Sequence, residues 1–176
     1  MKKKEEAIKE LLFDSGRATA DAAAELLLKK PELLADFAAL AFSNEYPFDM
    51  RASNVIEKAD ELKHGFAAEL IPDILERMKG FRNDGPKRQF LRMLIRYVKE
   101  MDEDYTGLLY DLCFGFSCSP GQSVAIRHNS LQVLARLCKR YPELKPEIAA
   151  ALELRVNEES GPFGRWLREF VQSIRG

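Results

Sequence analysis

Leu33-Leu34-Ala35-Asp36-Phe37, Leu70-Ile71-Pro72-Asp73-Ile74, Leu108-Leu109-Tyr110-Asp111-Leu112 and Leu144-Lys145-Pro146-Glu147-Ile148 are versions of one phrase: leucine, two variable positions, an acid, a large apolar residue. They begin 37, 38 and 36 residues apart. A period of that length marks a chain assembled from stacked supersecondary units, none of which can bury its apolar face alone. The apolar stripe runs on to Ala41, Met78, Phe116 and Leu152. Apolar residues at i, i+1, i+4 and i+8 form one face of an amphipathic helix.

About 20 to 22 residues beyond each phrase the sequence predicts a second helix. Its stripe is Phe90, Leu91, Leu94, Ile95 and Val98 in the second repeat, and Ser130, Leu131, Leu134, Ala135 and Cys138 in the third. The fourth has Trp166, Leu167, Phe170, Val171 and Ile174; the first has a weaker version, Asn54, Val55, Lys58, Ala59 and Leu62. Breakers fall where hairpins must turn, at Ser43–Pro47, Asn83–Pro86, Ser117–Gly121 and Ser160–Pro162, and between repeats at His64-Gly65, Met101-Asp102 and Tyr141-Pro142. Pro72 and Pro146 lie deeper and should either start their helices or bend them. Strand signals are absent. Two shorter helices are expected near 2–13 and 19–29, broken at Ser15-Gly16. The expected organisation is an N-terminal helical cap over 1–29, a degenerate repeat, followed by an array over 30–176 with repeats near 31–64, 65–101, 102–141 and 142–176.

Val124-Ala125-Ile126-Arg127-His128-Asn129-Ser130-Leu131, continuing to Leu134 and Leu137, resembles the second-helix pattern of HEAT repeats. Asp49-Met50-Arg51 through Val55 and Ala59 is a looser copy, and Leu70–Leu75 resembles the first-helix pattern. The resemblance covers about residues 31 to 175. It implies an all-α fold, a right-handed α-α superhelix of about four hairpins with the second helices lining the concave face. The basic residue of the pattern recurs at Arg51, Lys87 and Arg127, and Phe163 replaces it in the fourth repeat. The tetratricopeptide pattern is a structural rival whose aromatic and glycine positions do not recur here.

Formal net charge is only −1 over 176 residues, yet the charges are segregated. The four first helices (31–43, 66–80, 102–118, 143–159) carry 14 acids and 4 basic residues, whereas the second helices over 84–100, 121–140 and 162–176 carry 12 basic residues and 3 acids. On one helix face Arg88, Arg92, Arg96 and Lys99 align; the corresponding positions are His128, Gln132, Arg136 and Lys139, then Gly164, Arg168, Gln172 and Arg175. With roughly 6 Å between i and i+4 and about 8–10 Å between packed helices, neighbouring charges fall within a screening length of about 8 Å and should reinforce one another. The column Lys63, Lys99, Lys139 and Arg175 closes the last turn of every second helix, where a cation suits the dipole, and is read as structural. The remaining candidates for a ligand-binding basic face are Arg88, Arg92, Arg96, His128, Gln132, Arg136 and Arg168.

Catalytic and metal signatures are missing. The recurrent acids Asp36, Asp73, Asp111 and Glu147 occur four times where a site is needed once; near helix starts they suit the dipole. Asp102-Glu103-Asp104 lacks the ligand spacing and glycine of a calcium loop. Two histidines, His64 and His128, and three scattered cysteines give no zinc spacing. Cys113 and Cys138 fall on apolar stripes; Cys118 falls in a turn. No metal and no cofactor is expected, nor a signal peptide or membrane span, and unpatterned cysteines fit a reducing, cytoplasmic setting. The expected function is a non-enzymatic adaptor whose basic groove takes an acidic protein segment. The alternative is nucleic-acid binding, by analogy of architecture with HEAT-like alkylpurine DNA glycosylases, and a third reading has the array pair through apolar end surfaces.

Overall fold

The structure is a computed structural model describing residues 2–175, with side chains from Lys4 to Arg175. Among the described residues every regular element is helical: α1 (Lys2–Leu11), α2 (Arg17–Lys29), α3 (Leu34–Ala41), α4 (Phe48–Leu62), α5 (Ile71–Arg77), α6 (Asp84–Tyr97), α7 (Glu103–Cys118), α8 (Val124–Arg140), α9 (Lys145–Val156) and α10 (Gly161–Arg175). Single 3-10 turns at Pro31–Leu33, Ala68–Leu70 and Pro142–Leu144 lead into α3, α5 and α9, and another at Met78–Gly80 closes α5. Pro72 and Pro146 are the second residues of α5 and α9, so they start these helices rather than bend them. In a first turn the missing amide costs nothing and the fixed φ suits the helix.

α7 enters differently. Asp102, in extended conformation, is its N-cap residue, and Glu103 and Asp104 fill its first turn beside the positive dipole end. Asp111 is therefore well inside α7, not near its start as the acid column suggests; Asp36, Asp73 and Glu147 do occupy first turns. The reason is the missing 3-10 turn: α7 begins earlier relative to its phrase than α3, α5 and α9 do.

The chain divides into two compact units, Met1–Met93 and Leu94–Gly176, and the division falls within α6. In the first unit α1 packs on α3, while α2 and α3 both pack on α4. Being covered from two sides, α4 buries Ala52, Ser53, Val55, Ile56, Glu57, Ala59 and Asp60 rather than a single stripe. Leu62, expected on that stripe, is 65% exposed because α4 ends there. Leu12, Leu27, Phe37, Ile74, Met78, Phe90 and Leu91 supply the largest side chains of this core. Phe42, Phe81 and Phe90 cluster with centroids 5.7–6.1 Å apart. Arg51, on α4, ties the end of α1 down by donating from Nη1 to the Leu12 carbonyl at 2.8 Å and from Nε to Ser15 Oγ at 3.1 Å.

In the second unit α7 packs on α8 and α9 on α10, while α7 also meets α9 and α8 meets α10. First helices thus stack on first helices and second on second, which makes the core continuous between neighbours. Leu109, Cys113, Ile126, Leu131, Leu134, Leu137, Leu152 and Leu167 are fully buried. Leu108, the phrase leucine of α7, is 51% exposed, so Leu109 carries the packing. Cys113 and Cys138 are core residues, and burial pushes both thiols up from the usual range. A Cβ on Gly164 would collide with the Glu159 carbonyl oxygen, so the approach of α10 to the preceding turn requires glycine. Among the described residues no helix is long and apolar enough to cross a membrane.

Candidate functional site

The basic residues of the second helices have two fates, inward and outward. Arg127 is the inward case. It is 3% exposed; its Nη1 lies 2.5 Å from Glu159 Oε1, its Nε donates to the Ser117 carbonyl at 3.4 Å, and its guanidinium sits over the Phe163 ring at 4.7 Å. It joins the end of α7 to the start of α10. Like Arg51 it is a structural clamp, which accounts for a basic residue at this place in the repeat. Phe163, standing in the same column of the fourth repeat, is the ring that Arg127 covers.

The seven candidate residues do not form one set. In the first unit Arg88 is half-buried and lines a cavity of ≈ 240 Å³ together with Asp14, Arg51, Asn54 and Gln89. That cavity mixes signs: hydrogen bonds from Thr19 and the Gly16 amide, with Arg51 nearby, hold the Asp14 carboxyl below its usual range. Arg92 is exposed, but its guanidinium lies 3.7 Å from Oε1 of Glu57, a carboxylate with no exposure at all. A charge buried to that degree needs a partner, so Arg92 is partly neutralised from beneath.

In the second unit Arg96, near the end of α6, is half-buried. His128 is half-buried against Trp166 (centroids 4.5 Å), which also stacks on Phe163 and Phe170. Arg168 is exposed on α10 in a shallow depression shared with Glu153, Gln172 and Arg175; Arg175 is ion-paired with Glu153. Gln132 and Arg136 are brought together. They line a cavity of ≈ 550 Å³ with Lys99, Ala135, Lys139 and Arg140. Four cations converge there, and none of the lining residues is an acid.

Three of those four were missed by pattern. Lys99 and Lys139 belong to the column assigned to the helix dipole, and Arg140 is the last residue of α8. Arg140 Nη1 donates to the carbonyls of Val98 (2.9 Å) and Met101 (2.8 Å), past the end of α6. These carbonyls lack helical partners, and Arg140 satisfies them without surrendering its charge to a carboxylate. Among the described residues no ion pair involves Lys99, Arg136 or Lys139. The available signal was the double count of basic residues at the end of α8, Arg136-x-x-Lys139-Arg140, where one would satisfy the dipole.

A family model described as a HEAT repeat domain matches residues 8–164, from within α1 to within α10. No curated protein and no solved structure matches the chain.

Proposed function

The chain belongs to the HEAT repeat family, and on that premise we propose that it is a non-enzymatic, cytoplasmic binding protein of the helical-repeat kind whose basic surface takes an acidic protein segment. The observation that carries this reading is the cavity in the second unit, where Lys99, Arg136, Lys139 and Arg140 share one concavity without an acid. Like charges held together cost free energy unless something answers them; on helices the local cost is roughly 0.2–0.5 kcal/mol per neighbouring pair. An acidic segment would offset that cost and steer its own encounter, since a concave cluster of one sign raises the local concentration of the other. Convergence into one cavity favours an acidic side-chain cluster over a nucleic-acid backbone, whose charges are spread along a line at about 1.7 Å of duplex axis each.

The test is fluorescence anisotropy with a labelled twelve-residue glutamate-rich peptide and a labelled DNA duplex, each at two salt concentrations. The expected result is saturable peptide binding that disappears in Arg136→Glu/Lys139→Glu. Duplex binding with a salt slope of several units, near −0.9 per phosphate contacted, would transfer the reading to nucleic acid. No binding of the peptide at low salt would end the acidic-segment reading.

A further inference from the structure

The cavity in the second unit has a narrower chemistry than general attraction for acids. Building on its role in binding an acidic protein segment, we propose that it is a subsite for a phosphate monoester, the phosphorylated serine or threonine of that segment.

Charge is the first determinant. Lys99, Arg136, Lys139 and Arg140 bring four formal positive charges. The cavity also lies by the C-terminal ends of α6 and α8, each worth roughly half a negative charge, so about one unit is offset and about three remain. A single carboxylate leaves most of that unanswered. A phosphate monoester brings about −1.5 to −2 with three acceptor oxygens, the match for a cluster of arginines and lysines.

Shape is the second. Arg140 is pinned by the Val98 and Met101 carbonyls, so one cation is positioned before any ligand arrives. Gln132 adds a neutral amide donor beside the cations. Ala135, small and half-buried between Gln132 and Arg136 on α8, leaves the concavity open where a larger side chain would fill it. At ≈ 550 Å³ the space admits a phosphorylated side chain and adjacent backbone, within the roughly 300–1,000 Å³ of ordinary ligand pockets. A diester backbone presents separated single charges and would leave convergent cations underused.

Heteronuclear NMR of the full chain tests this, observing Gln132 side-chain and arginine Nε resonances. The probes are N-acetyl-phosphoserine amide, inorganic phosphate and N-acetyl-glutamate amide. Phosphoserine amide should saturate shifts confined to Gln132, Arg136 and Arg140 at roughly one-tenth the concentration that glutamate amide requires. Arg136→Gln/Lys139→Gln should abolish the effect, and so should Ala135→Leu, which narrows the cavity while keeping every charge. Equal saturation by glutamate amide would overturn the phosphate subsite and leave the acidic-segment reading standing. Tighter binding of inorganic phosphate than of phosphoserine amide would overturn the protein source of the phosphate. Unsaturable shifts scattered over all arginines would overturn the site itself.

Discussion

α4 and α8 hold equivalent places as second helices, yet their charges go opposite ways. α4 buries three carboxylates completely, Asp49, Glu57 and Asp60, and each has a protein partner. Asp49 accepts from the Met50 amide at 2.7 Å and from Asn83 Nδ2 at 2.5 Å, Asp60 accepts from the Ala67 amide at 3.2 Å, and Glu57 faces Arg92. α8 has no acid in its length, buries one cation as a clamp and turns Arg136, Lys139 and Arg140 outward. The difference separates two uses of charge. Buried charges are answered within the fold because desolvation would otherwise be prohibitive. Outward charges that the fold leaves without a carboxylate are free to meet a ligand.

On that division, the largest effects on stability come from inward charges. Arg127→Met strands Glu159 and should cost about 3 kcal/mol, read as a lowered urea midpoint; a loss within about 0.5 kcal/mol, the range of ordinary surface changes, would remove Arg127 from the clamp role. Asp49→Ala leaves the Met50 amide and Asn83 without their acceptor and should cost about 2 kcal/mol, with Asp49→Asn milder. Arg92→Glu sets a second acid beside buried Glu57 and should cost about 1–2 kcal/mol. The outward change Arg136→Glu should stay within about 0.5 kcal/mol. If those two variants were equally stable, the contrast between the helices would fail.

The smallest expected effects concern pH. Tyr110 donates to Glu147 Oε2 at 2.9 Å; burial and this carboxylate push its hydroxyl well above the ordinary value of 10. A raised pKa means its stabilisation is complete below that ordinary value and fades as pH climbs through the folded one, so Tyr110→Phe should flatten the alkaline limb of the stability profile. Asp21 behaves inversely. The hydrogen bond from Lys58 (2.5 Å) holds its carboxyl below 3.8, so its contribution is present above that value and vanishes as pH falls beneath it. Lys58→Met should therefore be slightly less stable than the parent above 3.8 and converge with it in acid, flattening the acid limb, measured as urea midpoints by circular dichroism across an acid pH series.

Much of the fold was legible because helix stripes and turn residues follow local rules. The phrase period, the breakers and the core positions Phe37, Ile74, Leu112 and Ile148 need no knowledge of tertiary contacts, and all four of these side chains are buried. What escaped depends on packing. The buried face of α4 could not be read because α2 and α3 cover it from two sides, and no local rule marks Glu57 and Asp60 as buried. Of the candidates for the basic face, Gln132 and Arg136 converge, while in the first unit Arg88 shares a cavity with Asp14 and Arg92 faces Glu57. Helix register aligns side chains but does not say which acid lies beneath them. By position Lys139 suits the dipole of α8 while Lys99 lies beyond Tyr97, where α6 ends, and both line the cavity.

The most direct measurement pairs two charge reversals in one titration series: Arg92→Glu in the first unit and Arg136→Glu/Lys139→Glu in the second, each against the labelled acidic peptide at low salt. The second reversal should abolish binding while the first changes it by less than about threefold, in line with a cation already answered by Glu57. Equal losses in both would contradict a site on α8, because the ligand would then be responding to total charge and not to the cavity.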